Sequence, residues 1–380
     1  MTATPAIFKN ARLVLPDTDM QGTLVVQDGR IADISATTSA PGHDCDGDFL
    51  LPGLIELHTD HLETHYAPRP KVRWNPVAAV QAHDAQIACA GITTVFDALR
   101  VGMDEDADLR APDMRKLADA IETGLAENRL RSDHFIHLRC EVSAPDVLDS
   151  YALFHKDPKV RLISLMDHTP GQRQFVSLDA YRIYYQGKKG FSDEQMDAFI
   201  EARKTRAGNI APDNRQALAK EAQALGVAIA SHDDATIEHV EEAIALNTRI
   251  AEFPTTLEAA KASRDAGMSV LMGAPNVVRG GSHSGNVSAR ELAEADCLDI
   301  LSSDYIPASL IQAAFQLAAE VEAISLADAV AKITFNPAKA IGLGDRGSLQ
   351  TGLRADLVQV KMIGDVPIVR GVWREGRRVA

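Results

Sequence analysis

An α/β fold, a (β/α)8 barrel carrying a small β-sandwich domain made from both chain termini, is what this sequence predicts, on three observations. The middle of the chain alternates short apolar runs with longer segments of helical period, the pattern of parallel strands and crossover helices. Eight such runs can be counted there. Both ends are instead β-prone and punctuated by turn signals.

At the amino end, Phe8–Val14 and Gly22–Val26 read as strands, and Asp28-Gly29 is a hairpin signal before Arg30–Ile34. At the carboxyl end, Asp356–Lys361, Pro367–Trp373 and the Glu375-Gly376-Arg377 turn read in the same way. Residues 1–50 plus 345–380 are therefore assigned to one small β-rich domain, and 51–344 to the barrel. The eight barrel strands are expected at Leu51–Asp60, Ile92–Leu99, His134–Val142, Arg161–Asp167, Val227–His232, Ile250–Phe253, Ser269–Met272 and Leu298–Asp304. Ser192 with Gln195 and Ser288 with Glu291 have the spacing of capping boxes, so a helix should follow each. Asp213–Leu225 and Leu257–Ala266 carry apolar residues at helical period. A helix near Ile237–Leu246 should take its cap from Asp233 or Asp234. A doubly wound open sheet is the competing architecture, but no glycine-rich dinucleotide fingerprint or phosphate loop supports it.

Composition narrows the function classes. The 380 residues are 46% hydrophobic, enough for a large core, and carry 39 basic against 53 acidic side chains, a net charge of −14. That balance argues against general binding to nucleic acid or to an anionic membrane, although one pocket can still be basic. Cys45, Cys89, Cys140 and Cys297 are far apart and form no C-x-x-C pair, so reduced thiols are expected rather than a disulfide framework. No apolar run approaches the roughly 20 residues of a spanning helix, and no signal-peptide pattern opens the chain; the expected location is the cytoplasm.

The chemistry collects at predicted strand ends. The first strand closes on Glu56-Leu57-His58-Thr59-Asp60-His61, where residues 58 and 60 face the same side and could share a divalent ion. The third ends at Glu141, the fourth at Asp167-His168, the fifth at His232-Asp233-Asp234 and the eighth at Asp304. A lone strand-end His is more often structural than a ligand, and an Asp there commonly caps a helix. Five strands ending in a His or an acid on one barrel face are harder to explain by capping. His43, His83, His155 and His239 fall outside this pattern and are assigned to surface or core.

Leu51-Pro52-Gly53-Leu54-Ile55-Glu56-Leu57-His58 resembles the opening of the amidohydrolase superfamily. Thr334-x-Asn336-Pro337-Ala338-Lys339-Ala340 and Gly347–Val358 resemble its close. Pro68–Val72, Leu138–Glu141, Met166–Gln172, Ala251–Thr256 and Met272–Asn286 are similar to one branch. That branch comprises diphosphatases acting on ribose 1-methylphosphonate 5-triphosphate in the carbon–phosphorus lyase route of phosphonate use. Three positions depart from pattern. The opening has His58-Thr59-Asp60 where His-x-His is usual, the histidines after it fall on strands four and five rather than five and six, and His61 stands where the branch expects Asn.

The resemblance implies hydrolysis of the 5-triphosphate to a 5-phosphate plus pyrophosphate. It implies two divalent ions, zinc first, held by His58, Asp60, Glu141, His168, His232 and Asp304, with Glu141 bridging and Asp304 the catalytic proton acceptor. An Asp in the opening pair hardens the site, so manganese or iron also suit it. Glu252, on the sixth strand, competes with His168 for the second metal position. A triphosphate sugar needs cations around its leaving oxygens. Arg69, Lys71, Arg139 and Lys188, together with Arg279, Ser282, His283 and Asn286 after strand seven, are the expected substrate contacts. Partners are then a small-molecule substrate and a second copy in a homo-oligomer, with no nucleic acid or membrane. The rival readings are amide hydrolysis or deamination at the same centre, and a scaffold relative that has lost its metals.

Overall fold

The structure is a computed structural model, and it describes residues 5–36, 41–103, 108–173, 178, 181–182, 191–282 and 285–380. Its strands are β1 (Ala6–Val14), β2 (Asp19–Gln27), β3 (Arg30–Ser35), β4 (His43–Asp44) and β5 (Phe49–Pro52), then β6 (Leu54–Thr59), β7 (Ile92–Val101) and β8 (Asp133–Glu141). They continue with β9 (Val160–Met166), β10 (Ala228–His232), β11 (Ile250–Glu252), β12 (Ser269–Gly273) and β13 (Ile300–Ser302), and end with β14 (Leu357–Ile363), β15 (Val366–Arg374) and β16 (Arg377–Arg378).

Strands β6 to β13 pair in chain order as one parallel sheet of eight, and a parallel bridge from Thr59 to Asp304 joins its two edges. The interior explains the closure. Ile55, Leu57, Phe96, Phe135, Leu162, Ala230, Ile250, Leu271 and Ile300, from all eight strands, meet in a single apolar cluster. Only a sheet curled on itself lets its two edge strands share a core in this way. Outward-facing Leu54, Val95, Ala251, Val270 and Leu301 pack in a second cluster that also takes in helical residues such as Leu310, Ala313 and Leu317.

All eight barrel strands lie where the apolar runs predict, and the chain ends form a separate sheet, ordered β16-β15-β14-β5-β1-β2-β3. The Asp28-Gly29 hairpin forms with both residues left-handed, φ +50° and +76°, as its turn requires. Residues 51–60 are not one strand, however. Leu51 and Pro52 pair with β14 in the terminal sheet, whereas Leu54 onward pairs in the barrel. The chain changes sheets at Gly53, where a Cβ would run into the Thr93 hydroxyl and the Asp356 side chain.

Both capping boxes form, at Ser192 and Ser288. The helix expected over 213–225 is the last part of a longer one, Asp193–Leu225, which a left-handed Gly226 (φ +69°) ends. The helix Ile237–Ala245 is capped by Thr236, whose side chain accepts from the His239 N–H, and not by Asp233 or Asp234. All four cysteines are free thiols. Among the described residues no helix is long and apolar enough to cross a membrane.

A cluster of charge ties the terminal sheet to the amino end of the barrel. Asp133, the first residue of β8, accepts from Arg346 at 2.8 Å, Arg354 at 2.7 Å and Arg374 at 3.2 Å. Burial pushes the Asp133 carboxyl up, but Arg354, Arg346 and Arg374 outweigh it and hold the group below the ordinary range. A depressed folded pKa means stability that is present above the unfolded value of about 3.9 and lost as acid is added through the folded one. Asp133→Asn should cost on the order of 3 kcal/mol, since it leaves three guanidinium groups around a neutral amide. Urea melts at pH 7 and near pH 3 are the check: the gap between variant and parent must narrow in acid.

Candidate active site

Every strand-end residue of interest lies at the carboxyl rim of the barrel. His58 lies in the last turn of chain of β6, Glu141 ends β8, His232 ends β10 and Glu252 ends β11. His168 follows β9 by two residues, and Asp304 follows β13 by two.

Glu252 organises the floor. It is fully buried and accepts from His58 Nδ1 at 3.1 Å, His232 Nδ1 at 3.1 Å and the Ser164 hydroxyl at 2.6 Å. An ionised carboxylate only accepts, so each imidazole must carry its proton on Nδ1 and turn Nε2 to the other side. The two rings stack, with centroids 5.8 Å apart. This is the arrangement in which a carboxylate behind a histidine fixes its tautomer and aims the free nitrogen at a metal. Burial pushes the Glu252 carboxyl up, but the charges of His58 and His137 and the hydrogen bonds from His232 and His58 hold it well below its usual range. His137 braces the same floor: its Nδ1 donates to the Leu57 carbonyl at 2.9 Å and its Nε2 meets the Ser164 hydroxyl. Burial drives the pKa of His137 down to about 3.

A second group stands above this one. Asp233 Oδ2 lies 3.6 Å from His232 Nε2 and 3.9 Å from His168 Nε2, and it is buried with no hydrogen-bond partner of its own. Asp233 is left-handed at φ +56°, and its backbone N–H is fixed to the Glu252 carbonyl at 2.9 Å, so the turn after β10 aims the carboxylate at the histidines. Its neighbour Asp234 turns away to pair with Arg173. Among the described residues, two sets of donors already lie close enough together to hold a metal ion, His58 with His232 and Glu252, and His168 with His232 and Asp233. His232 belongs to both.

The other expected ligands are close by but engaged. Glu141 accepts from His168 Nδ1 at 2.5 Å and from Ser143. Burial would raise the Glu141 carboxyl, yet the neighbouring His168 charge carries it down to about 2. Asp60 pairs with Arg139 at 2.7 Å. Asp304 faces the same pocket; burial first, then the Asp60 charge, raises its carboxyl above the usual range.

His58, Arg139, His168, His232, Asp233 and Asp304 line one cavity of about 180 Å³ with Phe253, Pro254, Met272 and Tyr305. Arg279, Ser282 and Asn286 complete its wall from the segment after β12. Of the expected substrate contacts, Arg139, Arg279, Ser282 and Asn286 are therefore gathered. Arg69 and Lys71 are exposed on the loop after the helix Leu62–Tyr66 and are not part of this lining. Lys188 and His283 lie outside the described residues. The sequence marks Asp233 or Asp234 as a cap and Glu252 as a rival to His168 for the second metal position, and leaves Ser164 without a role. The only available signal was that Glu252 and Asp233 are acids at strand ends, and their function appears when three strands converge.

A family model described as the amidohydrolase family matches residues 165–380. The chain belongs to the amidohydrolase family and is a hydrolase. Over 376 residues it is 46% identical to the α-D-ribose 1-methylphosphonate 5-triphosphate diphosphatase of Escherichia coli (strain K12), across 98% of this chain and 100% of that one. The imidazolonepropionase of Deinococcus radiodurans is 25% identical over 354 residues, covering 88% of this chain and 84% of its own. Among solved structures, N-acetylglucosamine-6-phosphate deacetylase from Pasteurella multocida superposes with a TM-score of 0.65 at 14% identity over 99% of both chains. That likeness carries the fold alone.

Proposed function

We propose that this protein hydrolyses α-D-ribose 1-methylphosphonate 5-triphosphate to the 5-phosphate and pyrophosphate. The observation that carries the reading is the 46% identity, end to end, with a diphosphatase of that name. The pocket agrees with it: Arg139 and Arg279 stand beside a His and Asp cluster, as the anionic leaving group of a triphosphate requires.

The donor set fits a divalent metal. Glu252 engages Nδ1 of two imidazoles and so leaves Nε2 as the atom each can offer a cation, and Asp233 Oδ2 is buried beside them with no hydrogen-bond partner. We take His58, His168, His232, Asp233 and Asp304 as the ligands, with Asp60 and Glu141 at the edge of the set and two zinc ions as the working cofactors. Bound there, the metal supplies charge neutralisation and an acidified water. Asp304 takes the proton of the attacking water, a task suited to a carboxyl whose pKa burial has raised. The water oxygen forms the new bond to the α-phosphorus, and the bond from that phosphorus to the bridging oxygen breaks. Arg279 and Arg139 hold the departing pyrophosphate.

Phosphorus NMR of products formed in 18O-water, paired with elemental analysis, tests this. The label is expected in the sugar 5-phosphate. Label in pyrophosphate, or ring opening of cyclic amides or ammonia release from amino-substituted rings in place of phosphate products, would overturn it. Arg279→Ala is expected to raise KM about tenfold for the triphosphate, the loss of roughly one charge-assisted hydrogen bond. KM for a monophosphate ester should barely move, and equal shifts in both would remove Arg279 from the leaving-group site.

A further inference from the structure

Beside the first barrel strand lies a second group of histidines that the reaction above does not use. His61 and His65 stand one helical turn apart on the short helix Leu62–Tyr66 and its cap, so their side chains share a face. His83, on the helix Pro76–Cys89, meets them from across the gap. The ring centroids are 5.0 Å apart for His61 and His65, 6.0 Å for His61 and His83, and 5.9 Å for His65 and His83.

Each ring has one nitrogen that is buried and has no hydrogen-bond partner: His61 Nε2, His65 Nε2 and His83 Nδ1. The partners on the other side say which form these rings take. His83 Nε2 donates to Asp97 Oδ1 at 2.8 Å, which leaves Nδ1 as the nitrogen open to a ligand. The Thr64 hydroxyl gives its hydrogen to the His61 carbonyl at 2.7 Å and can only accept from His61 Nδ1, 3.2 Å away. His61 Nε2 is therefore the nitrogen open to a ligand there. His83 is fully buried. Three buried imidazole nitrogens without a hydrogen-bond partner, on rings that lie against one another, lack one thing, a Lewis acid.

We propose that His61, His65 and His83 form a second transition-metal site, of the zinc class, lying between the helices Leu62–Tyr66 and Pro76–Cys89. Zinc with imidazole nitrogens at about 2.0–2.1 Å in tetrahedral array sets ring centroids about 5 Å apart. One pair has that spacing at 5.0 Å, and the other two, at 6.0 and 5.9 Å, require the rings to turn and close around the ion. Behind His83 the support is built. Asp97 takes its Nε2 proton on one oxygen and accepts from His134 Nδ1 at 2.7 Å on the other, and Asp84 lies 3.3 Å from His134 Nε2. A carboxylate behind a ligand histidine orients the ring and strengthens it as a donor. With three protein ligands the fourth position is left to water, and a neutral N3 set suits zinc, nickel or copper over magnesium or calcium.

The test is zinc content of the metal-stripped, reloaded full chain. Wild type is expected to hold one equivalent more than His65→Ala at micromolar free zinc, while His232→Ala loses metal from the barrel rim and keeps this one. Equal zinc counts in wild type and His65→Ala overturn the proposal and leave the rim site untouched, since His232→Ala reports on that separately. Should His65→Ala fail to fold, anomalous diffraction at the zinc edge on wild-type crystals decides. A peak between the three rings supports the site, and a peak at the rim with none here sinks it.

Discussion

Asp304→Asn is expected to lower kcat about a thousandfold, within the range that removal of a general base produces, with metal retained by the other ligands and the amide oxygen. Asp304 is left-handed at φ +53°, a conformation that Asn tolerates nearly as well as Asp, so the substitution leaves the rim's backbone in place. Its backbone bridge to Thr59 survives too, since that involves no side chain. What is lost is the capacity to take a proton. Steady-state turnover measured beside elemental analysis separates the effects. Turnover within threefold of the parent would remove Asp304 from proton transfer.

Glu252→Gln should do the reverse: metal affinity falls about 10–100-fold, as when an outer-shell carboxylate is lost, and excess metal restores part of the turnover. A carboxamide keeps one accepting oxygen and replaces the other with a donor. Glu252 now accepts from His58 on one oxygen and from His232 and Ser164 on the other, so one histidine must lose its proton acceptor. That ring either turns or changes tautomer, and its Nε2 no longer presents a lone pair to the rim. Equilibrium dialysis with zinc reads the affinity directly. Unchanged affinity would mean that the buried carboxylate does not aim the two rings.

How far the sequence could be read differs between fold and site. Period and turn chemistry are local, so the eight strands, the Asp28-Gly29 hairpin and the Ser192 and Ser288 caps were all legible along the chain. Gly53 was not, because the need for glycine there comes from Thr93 and Asp356, which no periodicity connects to it. Thr236 and Asp233 show the same limit at the site. Both are cap-forming types in adjacent turns, and only the folded chain shows that the threonine caps and the aspartate faces the histidines.

By itself, then, the sequence determined that strands and helices alternate, that the two ends share a sheet, and that histidines and acids finish the strands. It identified His58, His168, His232 and Asp304 as candidates because residue type and strand position are one-dimensional facts. The tertiary structure alone decided which nitrogen each histidine offers and which carboxylate holds it. Tautomer and aim depend on partners 20 to 194 residues away in the chain. Closing the barrel brings those partners within 3.1 Å and removes the water that would otherwise satisfy them.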